Sequence, residues 1–376
     1  MKVQIYTDID EIPAAIWNRL VKDNHPVLRH EFLAAMERHG CVGENFGWIP
    51  CHIGITEKNV LIGVMPLYQK YNSLGEFVFD HAWANAYDRM SIPYFPKLVS
   101  AVPYTPALGQ RLLALPGRET DVFPLLLESV LHLAEQIGAS SFHCLFPDEE
   151  EHRFFEESGL FTRHDCQFHW HNPGYQNFED FLSTLTARKR KNIRQERRRV
   201  EKTGVVLRIL DGHTATDEDW HNFNRFYIQN FVDKWGIPTF NEPFFNELGN
   251  MLPDQIVLVL ADSGAACIAG ALMYHSNTTL YGRHWGCIQS IDSLHFEVCF
   301  YQGIEYCIRH GLQHFEPGAQ GEHKIARGFI PTLTHSSHWL ADSRFHAPVA
   351  EFVRHEQNAV AQYMRQLQST LPYKRV

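Results

Sequence analysis

One short segment near the C-terminal end, FEPGAQGEHKIARGF (315–329), concentrates residues that could do chemistry. Gly318 and Gly321 allow the backbone N–H groups to turn toward an anion or a developing oxyanion. His323 is a candidate base near neutral pH, and Lys324 can neutralise negative charge on a tetrahedral intermediate or a phosphate. The segment lacks the Gly-Lys-Ser/Thr ending of a Walker A motif, which argues against ATP or GTP hydrolysis. The alternative is that these polar residues only cap and pair at the start of a helix.

A second candidate cluster precedes this segment, in LYGRHWGCIQSIDSLHFEVCFYQGIEYCI (280–308). Arg283 lies at the end of a predicted strand, and Glu297 lies in the first turn of a predicted helix. Tyr301 follows Glu297 by four residues, so both side chains could face one pocket. The alternative is that Glu297 only caps the helix, because the helix dipole stabilises an acid near the N-terminus.

A third candidate is the basic segment ARKRKNIRQERRRVEK (187–202). At helical spacing, Arg190, Arg194 and Arg197 share one stripe, and such crowded like charges repel one another unless an anion lies among them. The planar fork of arginine suits phosphate oxygens, so the segment predicts an anion site. The alternative is a solvated helix whose arginines pair with acids elsewhere in the chain.

The aromatic segment FVFDHAWANAYDRMSIPYFPK (77–97) predicts an irregular surface that receives a flat or apolar group, with Trp83, Tyr87 and the later Tyr104 as candidates. The alternative is an aromatic loop cluster packed over the core. The histidines and eight scattered cysteines show no structural zinc spacing, so we predict no metal site. A Ser-His-Asp hydrolase is unsupported because no GxSxG motif is present.

The elements that must position these residues fall into two similar halves. Each half contains helices, then an antiparallel meander, then a strand–helix–strand sequence, which favours two α+β domains that arose by duplication. We predict an N-terminal domain over 1–175, a basic linking helix over 176–204, and a C-terminal domain with a C-terminal helix over 205–376.

Composition limits the partners of the protein. The 376 residues carry 34 basic and 43 acidic side chains, a formal charge of −9 that repels nucleic acid and anionic membranes except at a local basic patch. The first residues lack the apolar region of a signal peptide, and no apolar run approaches the roughly 20 residues that span a bilayer. We therefore predict a cytosolic protein with no membrane insertion and no DNA partner, and the oligomeric state stays open.

Six stretches together resemble the N-acyltransferase family labelled "peptidoglycan biosynthesis/recognition", a relative of the Fem-type peptidyltransferases in the GNAT superfamily. They are FDHAWANAYDR (79–89), YFPKLVSAVPYTPALGQRLL (94–113), RKRKNIRQERRRV (188–200), LYGRHWG (280–286), LHFEVCFYQGIEY (294–306) and EPGAQGEHKIARGF (316–329). The resemblance implies tandem GNAT-like domains, each with a mixed, mostly antiparallel sheet flanked by helices. It also implies transfer of an acyl or aminoacyl group to an amine.

In Fem-type relatives the donor is an aminoacyl-tRNA and the acceptor is a cell-wall precursor that carries a diphosphate, whereas simple GNAT enzymes use acyl-CoA. We therefore expect no tightly bound cofactor, acyl-CoA or aminoacyl-tRNA as co-substrate, and a small-molecule amine as acceptor. The alternative is a non-catalytic GNAT-fold module that recognises a phosphate-bearing cell-wall precursor or RNA through its basic helix.

The predicted catalytic residues are Glu297 as base, with His323 as its alternative, and Lys324 at the oxyanion. The predicted substrate-binding residues come from both halves and from the 316–329 loop: Trp83, Tyr87, Tyr104, Arg190, Arg194, Arg283, Gly318, Gln320, Gly321 and Arg327. Among them, Arg190, Arg194 and Arg327 are expected to hold phosphate groups, and the backbone of Gly318–Gly321 is a second candidate for the oxyanion. We expect these residues to line a cleft between the two domains.

Overall fold

The structure is a computed structural model, and it describes residues 1–233, 236–319 and 321–374. The strands are β1 (Lys2–Tyr6), β2 (Trp48–Pro50), β3 (His52–Glu57), β4 (Val60–Met65), β5 (Tyr68–Lys70), β6 (Lys97–Ser100), β7 (Leu113–Ala114), β8 (Ser141–Leu145), β9 (Phe161–His171), β10 (Val206–Leu210), β11 (Ile256–Ser263), β12 (Ala266–His275), β13 (Thr279–Cys287), β14 (His314–Glu316) and β15 (Ile330–Leu340). The helices are α1 (Ala14–Asn18), α2 (His30–Arg38), α3 (His81–Arg89), α4 (Glu119–Ile137), α5 (Glu149–Glu157), α6 (Phe178–Thr184), α7 (Ala187–Glu201), α8 (Asp217–Val232), α9 (Glu242–Met251), α10 (Leu294–Phe296), α11 (Gln302–His310) and α12 (His346–Gln368). A π-helical turn, Glu297–Tyr301, joins α10 to α11.

The chain folds into two compact units. The first unit comprises Met1–Cys166 and Leu333–Tyr363, and the second comprises Gln167–Thr332 and Met364–Val376. This division differs from the predicted boundaries at 175 and 205, because residues 333–363 return to the first unit. The physical reason is strand pairing: Ser336–Leu340 of β15 pair antiparallel with β8. Residues 176–204 form two helices, α6 and α7, which belong to the second unit.

The first unit contains two groups of strands. One is the antiparallel sheet β1-β3-β4-β7, and the other has the order β15-β8-β6-β5-β2, in which β6 and β8 are parallel. Val122, Leu126 and Val130 recur at the four-residue spacing of one helix face, and they carry α4 onto the buried isoleucines of β3. The segment that we predicted to be irregular contains a regular helix, α3, whose Trp83 and Tyr87 lie four residues apart.

The second unit is built on strands in the order β10-β11-β12-β13-β14-β9. Neighbouring strands are antiparallel except β13 and β14, which are parallel. Helix α8 packs closely on β13: a Cβ atom at Gly286 would lie 2.1 Å from the carbonyl oxygen of Phe226. The strands β10 to β13 follow the predicted meander, and the predicted α+β class with mixed, mostly antiparallel strands is confirmed. Within the described ranges, no helix is both long enough and apolar enough to cross a bilayer.

Candidate functional site

A wedge-shaped cavity opens in the second unit where its two parallel strands diverge. β13 and β14 pair from Thr279/His314 to Tyr281/Glu316, after which β14 ends while β13 continues to Cys287. Pro317 follows at once, and its lack of an N–H group prevents it from continuing the ladder. The resulting cavity has a volume of about 230 Å³ and lies between Gly282–Trp285 of β13 and Pro317–Ala319. We call this cavity the wedge.

A β-bulge lies on the same stretch of β13. The register with β12 shifts between Leu272, which faces His284, and Met273, which faces Gly282, so Arg283 is the extra residue. A bulge re-aims the side chain at its position, and Arg283 lines the wedge. Burial lowers the pKa of Arg283 to about 10, which leaves the guanidinium charged at neutral pH.

Lys324 places a buried positive charge at the wedge. The residue lies in a 3-10 turn, Glu322–Arg327, and is only 3% exposed. Its Nζ donates a 2.6 Å hydrogen bond to the carbonyl oxygen of Gly318, whose φ of 95° requires a glycine. Among the described residues, no carboxylate pairs with Lys324, and burial lowers its pKa to about 8. Burying a charged lysine without an acidic partner destabilises the folded state, so Lys324 is a candidate functional residue.

His323 lines the same cavity, but its side chain is exposed to solvent whereas that of Lys324 is buried. The His323 ring packs 5.6–6.1 Å from the rings of His295, Phe296 and Phe300. Desolvation, followed by the nearby charges of Arg327 and Lys324, lowers the pKa of His323 below 6.5. The imidazole is therefore neutral at pH 7 and able to accept a proton.

Glu297, the predicted base, lies in a different cavity. It accepts hydrogen bonds from Arg197 at 3.0 and 3.1 Å and from Gln302 at 2.7 Å. Tyr301 instead donates to Glu196, so Glu297 and Tyr301 do not share a pocket as the sequence had suggested. The cavity beside Glu297 has a volume of about 480 Å³ and lies against α6 and α7.

The three arginines that we expected to hold phosphate are dispersed. Arg190 is half-buried and donates to the backbone of Leu185 at 3.4 Å, while Arg194 is exposed and pairs with Glu179. Arg327 is buried, pairs with Glu196 at 2.8 Å, and lies 3.3 Å over the ring of Phe296. The wedge thus brings together Arg283, Gly318, His323 and Lys324 from the predicted set, and Arg190, Arg194 and Arg327 lie elsewhere. Gly321 caps the turn that carries Lys324, and Gln320 lies outside the described residues.

The aromatic candidates of the first unit are packed into its core. Trp83 and Tyr87 are 4% and 1% exposed and belong to a cluster with Phe345 and Val353, and Tyr87 stacks on Phe345 at 3.9 Å. Tyr104 is also buried, and its hydroxyl donates to the carbonyl oxygen of Cys41. Of the two interpretations given above for this aromatic segment, packing over the core fits these contacts.

The first unit also contains a parallel strand pair, but its own loop fills the space beyond it. β6 and β8 pair up to Ser100/Cys144, after which Gly109 donates to the carbonyl oxygen of Phe146. The guanidinium of Arg111 is buried there and donates to the carbonyl oxygens of Leu145, Ala107 and Gln110 at 2.7–2.8 Å.

Sequence reasoning missed several residues that line the wedge: Trp285, His295, Cys299 and Phe300. A usable signal was present, because His295, Cys299 and Phe300 recur at helical spacing after the predicted strand. No set of three or more His, Cys, Asp or Glu side chains in the described ranges is placed to hold a metal ion.

Comparison with known proteins places this geometry in context. The FemAB-like family model, described as peptidoglycan biosynthesis/recognition, matches residues 8–375. The crystal structure of FemX matches with a TM-score of 0.56 at 10% identity, over 93% of this chain and 100% of that chain. The C-terminal domain of a putative lysylphosphatidylglycerol synthetase from Agrobacterium fabrum matches with a TM-score of 0.54 at 9% identity, over 92% and 95% of the chains.

A conserved protein of unknown function from Bacteroides thetaiotaomicron gives a TM-score of 0.52 at 10% identity, over 90% of this chain and 99% of that chain. At such low identity these likenesses show the fold alone. They confirm the predicted fold class of tandem GNAT-like units. None of the curated proteins searched matches the sequence.

Proposed function

Because the chain belongs to the FemAB-like family, we propose that it is a transferase that moves an acyl or aminoacyl group from an activated donor to an amine. The donor is an acyl-CoA or an aminoacyl-tRNA, used as a co-substrate, and the protein needs no tightly bound cofactor. A cell-wall precursor that carries a free amine is the first acceptor to test, because the family description refers to peptidoglycan.

The observation that carries this proposal is a buried lysine without a carboxylate partner, among the described residues, at the divergence of two parallel strands. Beyond Tyr281, β13 no longer pairs with β14, so its backbone groups on that side can bond an extended ligand that carries amides. Lys324 retains two N–H donors besides the one given to Gly318. A donor carbonyl bound in the wedge would place its developing oxyanion near this charge.

The proposed chemistry uses the residues that line the wedge. The acceptor amine loses a proton to neutral His323 and attacks the donor carbonyl, which forms a C–N bond. The tetrahedral oxyanion is stabilised by Lys324, a contribution of roughly 2.7–4 kcal/mol for one such donor. The C–S bond of a thioester or the C–O bond of an aminoacyl ester then breaks, and the leaving group takes the proton from His323.

We favour His323 over Glu297 as the base because of their surroundings. His323 and Lys324 line one cavity, whereas Glu297 is 4% exposed and accepts three hydrogen bonds in another. Its carboxylate is held in place by Arg197 and Gln302 and has little freedom to reach an amine.

A thermal-shift panel tests the proposal directly. Purified protein is melted with CoA, acetyl-CoA, palmitoyl-CoA, aminoacyl-tRNA and a UDP-linked cell-wall precursor. A ligand at about 100 times its Kd should stabilise the fold by roughly 2.7 kcal/mol. The donor that shifts the melt is then incubated with amines, and the acylated product is detected by mass spectrometry. If no donor shifts the melt and no product forms, the transferase proposal is wrong.

A second candidate, a non-catalytic binding module, is favoured by α7. Four cations on this helix and at its C-cap, Arg188, Lys191, Arg198 and Lys202, are exposed and lie along one face at helical spacing. Among the described residues none of the four has an ion-pair partner, so this face suits a phosphate backbone. A pure binding module predicts RNA or precursor binding with steep salt dependence and no effect of K324M, whereas the transferase predicts lost turnover.

A further inference from the structure

A separate cavity in the first unit has the lining of a ligand site. It has a volume of about 420 Å³ and lies among residues 78–82, β9, β15 and α12. It combines aromatic rings with titratable groups, a composition typical of small-molecule sites. We call it the first-unit pocket.

The rim of this pocket is aromatic and exposed. The side chains of Phe79 and Phe352 are 60% and 37% exposed, respectively. Phe79 stacks on the ring of His81, which also lines the pocket. Two exposed phenylalanines at the mouth of one cavity can hold an apolar body or the face of a cation.

The charges inside the pocket leave one carboxylate unmatched. Arg163 and Glu356 neutralise each other through two hydrogen bonds of 2.8 and 2.6 Å, and Arg163 also donates to the backbone of Phe79. Burial lowers the pKa of His164, and lowers that of His335 to about 4, so both rings are neutral at pH 7. Asp165 therefore supplies the remaining charge, since within the described ranges no cation pairs with it.

Two polar atoms at the pocket are buried without a hydrogen bond. These atoms are the Oγ1 of Thr334, a residue that is 1% exposed, and the Nδ1 of His335; neither has a partner among the described residues. A buried polar atom without a partner destabilises the fold by roughly 1–3 kcal/mol. Both residues line the pocket, but the two atoms themselves are shielded from its space, so the indication of a ligand comes from the aromatic rim and the charge.

We propose that the first-unit pocket binds an organic ammonium with an apolar body. The ammonium lies near Asp165, and the apolar body lies between Phe79 and Phe352. Binding of an amine here is independent of the transfer chemistry assigned to the second unit. It therefore stands or falls separately from the proposed function.

Three probes of one shape test this assignment: 4-phenylbutylamine, 4-phenylbutan-1-ol and 4-phenylbutanoate. Their binding to the full chain is measured by saturation-transfer NMR titration. We expect the amine to bind with a Kd of about 1 mM or tighter, and at least about tenfold more tightly than the alcohol. The carboxylate should bind more weakly than the alcohol because of Asp165.

Two variants locate the binding. D165N, at an exposed position that tolerates the change, should weaken the amine about fivefold to tenfold and leave the alcohol unaffected. E157Q removes one exposed carboxylate outside the pocket and should change neither affinity, which controls for net charge. The assignment is overturned if no probe binds, if the alcohol or the carboxylate matches the amine, or if D165N and E157Q behave alike.

Discussion

Replacing the buried lysine of the wedge by methionine, K324M, should make the protein more stable and less active. A pKa lowered from 10.5 to about 8 corresponds to roughly 3 kcal/mol of charge destabilisation at neutral pH, at about 1.36 kcal/mol for each pKa unit. The lost hydrogen bond to Gly318 removes about 1.5 kcal/mol of stabilisation. The net gain of about 2 kcal/mol should raise the melting temperature of the second unit by about 4–8 °C.

Turnover should respond in the opposite direction. Loss of one oxyanion donor costs roughly 100- to 1,000-fold in kcat. The assay is transfer from the donor identified in the thermal-shift panel, measured alongside calorimetric melting of the same samples. Competitive labelling of lysines against pH gives an independent readout, since Lys324 should titrate near 8 and surface lysines near 10.4.

The first unit offers a matched control, because Lys97 is equally buried but is paired with acids. Its Nζ donates to Glu76 at 2.8 Å and to Asp80. K97M would leave the buried Asp80 without its cation and Glu76 with only Lys70, at 3.8 Å, which should destabilise the fold by about 3–5 kcal/mol. If K324M destabilises the protein as K97M does and retains full turnover, Lys324 is a structural residue and the reasoning about the wedge is wrong.

Three further outcomes follow from the second unit. E297Q should destabilise the second unit by roughly 1–3 kcal/mol, because it removes a charged hydrogen-bond partner of Arg197 while Arg197 keeps its 2.7 Å pair with Glu305. It should keep kcat near wild type below the melting temperature, and a kcat loss above tenfold would restore Glu297 as the base. G286A should destabilise the fold by about 2–3 kcal/mol in urea titrations, because its Cβ would overlap the Phe226 carbonyl; an unchanged midpoint would contradict this close approach. The rate should fall above about pH 8 as Lys324 loses its proton, and on the acid side only below pH 6.5, since His323 acts unprotonated; a flat profile from pH 7 to 10 excludes the Lys324 role.

Local pattern in the sequence predicted the elements well, because strand alternation and helical spacing are short-range. The antiparallel meander of the second half is confirmed in this way. Helix α3 was not predicted, although Trp83 and Tyr87 lie four residues apart, because a dense aromatic segment with prolines is typical of irregular structure. The pairing of β15 with β8 could not be predicted, because two strands almost 200 residues apart in the sequence produce no local pattern that identifies them as partners.

The candidate site was predicted in part for the same reason. His323 and Lys324 are adjacent in sequence, so one segment delivers both to the wedge. The role of Glu297 depends on Arg197, which lies 100 residues earlier and reaches it only through the fold. The arginine density of α7 predicts an anion site, which stays a prediction, and tertiary contacts decide which arginines pair and which stay exposed.

Each unit contains a parallel strand pair, and the two units differ in how the space just beyond that pair is occupied. In the first unit, Arg111 and the loop at Gly109 satisfy the backbone groups beyond β6 and β8, which closes the gap. In the second unit, the gap beyond Tyr281 stays open and is faced by a lysine that no acid neutralises among the described residues. Protein groups that fill such a gap stabilise the fold, whereas a buried charge without an ion-pair partner destabilises it. Such a charge is therefore expected to serve function and not stability. This asymmetry is why we assign the transfer chemistry to the second unit and only ligand binding to the first.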